Sequence, residues 1–320
     1  MITFILTLSL TVFATSIDTI RAELDDLPFL YAHEIRNITD IQVNELGTSR
    51  LIYVSAGSHL YVLNGDLELE ETRNLTSASV NISLSSDGRH LVVCMTDLSC
   101  EVYNTTNLSN GPVTRRPNAI VSTKNMALFT TDDRFYVGSI SSNSGVQHQM
   151  FLSWYGYDSG NQGGSGTYDI NKDGFERNFY GGFVEGSNAY YLATDNIKPL
   201  SGDQRLRNFK VMRICNNSTG SIGALYELSL GCDGLHPGTD TRISAIAVVE
   251  DFGGISGTTI ILSRSRPRST QNFICLYSLQ MIDAMMQGKL DSCSTSQNDY
   301  IKLAWRSSTT HCPTAFQVLN

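Results

Sequence analysis

The sequence predicts an all-β protein, a propeller of short antiparallel sheets with one short helix. Three observations carry this: brief β-prone runs fed by polar turns, their recurrence at roughly 40–60 residues, and a single stretch with helical spacing. Irregular four-stranded units at that spacing are the mark of propeller blades, which bury both faces against their neighbours.

The first hairpin joins Leu51-Ile52-Tyr53-Val54 to Leu60-Tyr61-Val62-Leu63 through Ser55-Ala56-Gly57-Ser58-His59, small and polar residues that turn tightly. Strands of the same kind recur at His90 to Cys94, Arg134 to Gly138, Asn188 to Ala193 and Thr258 to Leu262. Turns Ser86-Asp87-Gly88-Arg89, Thr131-Asp132-Asp133-Arg134 and Glu185-Gly186-Ser187-Asn188 lead into three of them. Two stretches break the pattern. Tyr155 to Asp173 is rich in Gly, Ser, Asp and Asn and predicts a long surface loop. Leu279 to Lys289 sets Met281, Ile282, Met285 and Met286 at helical spacing, and core packing is the expected role of those side chains.

The 320 residues carry a net charge of −8, which argues against nucleic acid or an anionic membrane surface as principal partner, since phosphate binding needs clustered Lys and Arg. The one basic run, Arg264 to Arg268, is short and reads as an exposed loop between strands. Residues 1–16 read as a cleaved leader, with cleavage anywhere up to residue 22; the apolar run is shorter than the ~20 residues that span a bilayer. No later segment is long and apolar enough to cross one. Seven cysteines behind a leader imply an oxidising compartment, three bridges and one cysteine left over. Seven sequons, at Asn37, Asn74, Asn81, Asn104, Asn107, Asn216 and Asn217, are glycosylation candidates, and neither Asn104 with Asn107 nor Asn216 with Asn217 can be fully occupied together.

Catalytic and cofactor motifs are missing from the sequence. The six histidines have no metal-ligand spacing, and neither Tyr157-Asp158-Ser159-Gly160 nor Gly163-Gly164-Ser165-Gly166 forms a nucleophile elbow. No phosphate-cradling loop is present, so no cofactor is expected. Asp169, Asn171 and Asp173, followed by Gly174, match the opening of a calcium loop, but Arg177 and Tyr180 stand where its later ligands belong. A polar turn is the simpler reading.

Ile274-Cys275-Leu276-Tyr277-Ser278-Leu279, Ile282-Asp283, Leu290-Asp291-Ser292-Cys293, Leu303-Ala304-Trp305 and Cys312 follow one another in an order that resembles the extracellular sema domain of plexins. Phe183 to Gly186 with Tyr190-Tyr191-Leu192, Phe209 to Cys215 and Tyr226 to Cys232 are similar to that family's preceding strands, and Arg50 to Leu67 to its first hairpin. The resemblance covers about residues 28–315, so residues 28–320 are assigned as a partial sema domain. It implies a seven-bladed ring of which this chain holds about five blades, with Leu27 to Ala32 completing a blade whose other strands are missing. It also implies pairing of Cys94 with Cys100, Cys232 with Cys275 and Cys293 with Cys312, leaving Cys215 unpaired here. An open ring is expected to expose two apolar faces, which makes the isolated chain poorly stable.

What the resemblance implies for function is a non-enzymatic binding module of a plexin-like receptor, a semaphorin receptor engaging a semaphorin-like ligand through sema–sema contact. Receptor homo-oligomers gathered by a dimeric ligand would then signal through effective concentration. The location implied is extracellular, secreted as given or at the cell surface through a missing C-terminal region. A secreted sema-containing ligand or decoy is the alternative, and a propeller hydrolase a weaker one. Ligand-contacting side chains are not assigned.

Overall fold

The computed structural model describes residues 35, 37–45, 50–117, 126–141, 148–157, 162–170, 175–197, 206–215, 220–221, 225–230, 242–265 and 272–295. They form five sheets, antiparallel and successive in the chain except for one short strand that joins the third in parallel. Sheet one contains β1 (Ile38–Asn44), β2 (Leu51–Ala56), β3 (His59–Asn64) and β4 (Leu69–Asn74), and sheet two contains β5 (Ser79–Leu84), β6 (His90–Met95), β7 (Cys100–Asn104) and β8 (Val113–Arg115). Sheet three contains β9 (Ala127–Thr130), β10 (Arg134–Ser141), β11 (His148–Gly156) and β12 (Gln162–Ile170), with the two-residue β16 (Gly220–Ser221) alongside β12. Sheet four contains β13 (Phe175–Glu185), β14 (Asn188–Ile197), β15 (Leu206–Cys215) and β17 (Leu225–Leu230). Sheet five contains β18 (Arg242–Glu250), β19 (Thr258–Ser265) and β20 (Asn272–Ser278), and the chain runs from β20 into helix α1 (Leu279–Thr295).

Each sheet meanders outward from its first strand, and the first strands adjoin: β1 touches β5, β5 touches β9, and β9 touches β13. That is the inner wall of a propeller. Polar bonds stitch it: Ile82 N–H donates to Asp40 Oδ2 at 3.2 Å, and the Ser83 and Thr130 hydroxyls share a bond of 2.9 Å. Among the described residues the ring is not closed.

The continuous apolar runs have a direct cause. On β6, Leu91, Val93 and Met95 pack against Tyr53, Leu60 and Val62 of sheet one, while Val92 and Cys94 pack against Phe135 and Val137 of sheet three. On β10 and β14 the alternation repeats: Tyr136 joins Tyr191, Ala189 and Ala193 between sheets three and four, and Tyr190 and Leu192 face sheet five. A strand buried on both faces has no polar side to show, so period-two alternation vanishes from its sequence. Sheet four also lies tightly on sheet three: a Cβ on Gly182 would run into the Phe129 ring of β9, and into the Tyr190 carbonyl on the neighbouring strand β14 of its own sheet.

Four expectations need correction. Within the Gly- and Ser-rich stretch expected to be a loop, Gln162–Ile170 is a strand paired antiparallel to β11. Backbone hydrogen bonds to β11 carry that pairing. The helix extends past Lys289 to Thr295; Gly288 lies within it, and a helical glycine costs only about 1 kcal/mol relative to alanine. Of the four helix residues expected in the core, Ile282 and Met286 are buried, whereas Met281 and Met285 are exposed. Arg264 also departs from the loop reading, because it lies in β19 and is buried.

Candidate interaction surface

Interior charges hold the later sheets in place. Arg177 on β13 donates from Nη1 to Glu227 Oε1 on β17 at 2.5 Å, and Lys210 on β15 donates to Glu227 Oε2 at 3.0 Å. The Arg177 and Glu227 side chains are only 3% and 4% exposed. Arg177 also touches the sulfurs of Met150 and Met212, both at 3.3 Å, so its guanidinium sits between sheets three and four. Arg177, which stands at the ninth position of the calcium-loop pattern, is thus held in an ion pair. Asp169 lies on β12 opposite Gln149, while Asn171 and Asp173 lie outside the described residues. Among the described residues, no three His, Cys, Asp or Glu side chains gather as a metal site.

A second set fastens the helix. Asp283 on α1 accepts from Tyr190 Oη at 3.0 Å and from Arg213 Nη1 at 2.9 Å, and Arg213 stacks 4.9 Å over the Tyr226 ring. Burial, with the Asp283 carboxylate beside it, pushes the Tyr190 phenol up. Leu279, Ile282 and Met286 complete the seam against Phe209, Leu228 and Leu262. Burial likewise raises the Asp40 carboxyl on the inner wall, although it accepts from the Ile82 and Ile41 amides.

Cys94 and Cys100, opposite each other on β6 and β7, form a buried disulfide. Cys275 is disulfide-bonded as well. Cys232 and Cys312 lie outside the described residues, as do the side chains of Cys215 on β15 and Cys293 on α1. Asn37, Asn74, Asn104 and Asn107 are exposed, Asn81 is half-buried, and Asn216 and Asn217 lie outside the described residues. The expected leader and Leu27 to Ala32, all within residues 1–34, lie outside them too. No described helix is long and apolar enough to cross a membrane.

Apolar exposure concentrates at the two ends of the array. On sheet five, Ile274 is 72% and Leu276 45% exposed, on the face opposite the buried Cys275 and Tyr277, with Met281 and Met285 exposed on the helix that follows. On sheet one, Ile38, Ile41 and Val43 of β1 are exposed. Sequence reading foresaw open end faces but not these residues, since exposure on a terminal sheet leaves the strand pattern unchanged.

No protein-family profile and no curated protein sequence matches the chain. Solved structures do. The plexin A4 extracellular region superposes with a TM-score of 0.57 at 14% identity, covering 90% of this chain and 39% of that one. Drosophila Semaphorin 2a gives 0.56 at 14% identity over 78% of this chain and 49% of its own. Drosophila Plexin A in complex with Semaphorin 1b gives 0.54 at 14% identity, over 81% of this chain and 55% of its own. The chain thus spans between 39% and 55% of these proteins, and at such identity the likeness is one of fold. Five successive sheets, the first four fanning outward from adjoining first strands, together with these likenesses, identify the chain as having the sema-domain propeller fold.

Proposed function

We propose that the chain is the extracellular sema-domain binding module of a plexin-like cell-surface receptor, and that it recognises a semaphorin-like protein by sema–sema contact. Its work is binding rather than catalysis, carried out outside the cell, either in secreted form or at the plasma membrane. The observation that carries this reading is the shared fold with plexin A4 and with a chain of the Drosophila complex of Plexin A with Semaphorin 1b. Fold alone leaves function to the site. What supports a binding role at the level of residues is a rigid scaffold of interlocked aromatic sheets that leaves apolar side chains outward at its ends.

A second reading, a secreted sema-containing ligand or decoy, is favoured by the likeness to Drosophila Semaphorin 2a, whose TM-score of 0.56 stands beside the 0.57 of plexin A4. Surface plasmon resonance separates the two. The purified chain, immobilised through a C-terminal tag, is exposed to panels of semaphorin and plexin ectodomains. Saturable binding to a semaphorin with none to plexins supports the receptor reading. Binding to plexins alone reverses the roles, and binding to neither overturns both.

A further inference from the structure

The sequons in the first two sheets are unequal once their strands are placed, because a sugar is attached to the asparagine Nδ2 and needs open solvent in the folded state. We propose that Asn74 and Asn104 are the sugar-bearing asparagines of sheets one and two, and that Asn81 stays bare. This rests on the extracellular reading, since the modification belongs to the secretory route.

Asn74 ends β4, the edge strand of sheet one, and is exposed. A glycan there projects from the outer rim. Asn104 ends β7 and is also exposed, and its side chain is already ordered: Oδ1 accepts from the Thr106 amide at 3.0 Å and from the Thr106 hydroxyl at 2.7 Å. Those bonds use the oxygen, so a sugar on Nδ2 leaves the turn intact. Asn107, three residues on, starts a short 3-10 turn and competes for the same space.

Asn81 is placed differently. It is half-buried on β5, the innermost strand of sheet two. Its cross-strand partner is Cys94, fully buried against sheet three, and two residues on Ser83 bonds Thr130 of β9 at 2.9 Å. Directly opposed residues share a face of the sheet, so Asn81 points toward sheet three. A glycan there would wedge apart the inner wall. Sugars at Asn74, on the edge strand of sheet one, and at Asn104, at the end of β7, instead keep those positions solvated, which directs protein contact elsewhere.

The test expresses the full chain in mammalian cells with a heterologous leader replacing residues 1–16, so that entry into the secretory route does not depend on the native leader. Glycopeptide mass spectrometry of the secreted protein should find hexose-bearing Asn74 and Asn104 and unmodified Asn81. Asn74→Gln and Asn104→Gln should each remove one glycosidase-sensitive step in gel mobility, and Asn81→Gln none. Sugar on Asn81 in secreted protein, or bare Asn74, or Asn107 occupied in place of Asn104, overturns the assignment. A parallel culture with the native leader reports separately on the extracellular reading: retention there with normal glycosylation under the foreign leader counts against that reading alone.

Discussion

Replacing Glu227 by glutamine tests how sheet four is held. The substitution keeps shape and removes charge, leaving the Arg177 guanidinium, in a site where that side chain is 3% exposed, with no anion at the 2.5 Å contact. Lys210 loses the same partner, but at 17% exposure it can swing its ammonium toward water. The loss therefore comes chiefly from Arg177. Removing one member of a buried pair costs about 3–5 kcal/mol, a large share of a domain's ~5–15 kcal/mol. Arg177→Met should cost less, about 1–3 kcal/mol, because Glu227 keeps Lys210 and a methionine suits the Met150 and Met212 surroundings. The double variant Arg177→Met with Glu227→Leu should recover to within about 1 kcal/mol of the parent, since an apolar replacement of a buried pair is often neutral. Urea unfolding followed by circular dichroism, with Glu227→Leu alone as the remaining single variant, supplies all four corners of the Arg177→Met, Glu227→Leu cycle. A loss below about 1 kcal/mol for Glu227→Gln, or additive losses in the double variant, would show that the pair does not hold the sheet.

Gly182→Ala should destabilise the chain by about 1–3 kcal/mol or more, because the new methyl group meets the Tyr190 carbonyl and Phe129 ring, and thermal unfolding reads it directly. Asp40→Asn should stabilise the protein at neutral pH. Burial raises the folded-state pKa of Asp40, so the contribution of its protonated form is complete below the ordinary value of 3.8 and is lost as pH rises through the raised one. The gain from asparagine should accordingly shrink as pH falls toward 3.8, and a gain independent of pH contradicts the assignment. Ile274→Glu combined with Leu276→Lys should reduce self-association of the purified chain in sedimentation velocity without lowering its melting temperature, because both side chains lie on the open face of sheet five.

Strands such as β6, β10 and β14 were legible because both faces are buried, and a short apolar run set between turn residues is the pattern that such burial leaves in a sequence. The β2–β3 hairpin was equally plain, with Gly57 at a φ of +56° where the turn requires a left-handed residue. Strand β12 was hidden, since Gly163, Gly164 and Gly166 have the composition of a loop and only the neighbouring β11 supplies its hydrogen bonds. On α1, spacing grouped Met281 and Met285 with Ile282 and Met286, and the side facing sheet four separated them.

By itself, the order of residues determined an all-β chain, its blade-like repeats and the strand that opens each buried hairpin, because local propensity and burial on both faces act over a few neighbouring positions. Tertiary structure alone decided that Arg177 meets Glu227, that Asp283 fastens the helix to Tyr190 and Arg213, and which sequons face water. Those outcomes depend on residues far apart in the chain and on the angle between adjoining sheets, and no short-range pattern encodes either.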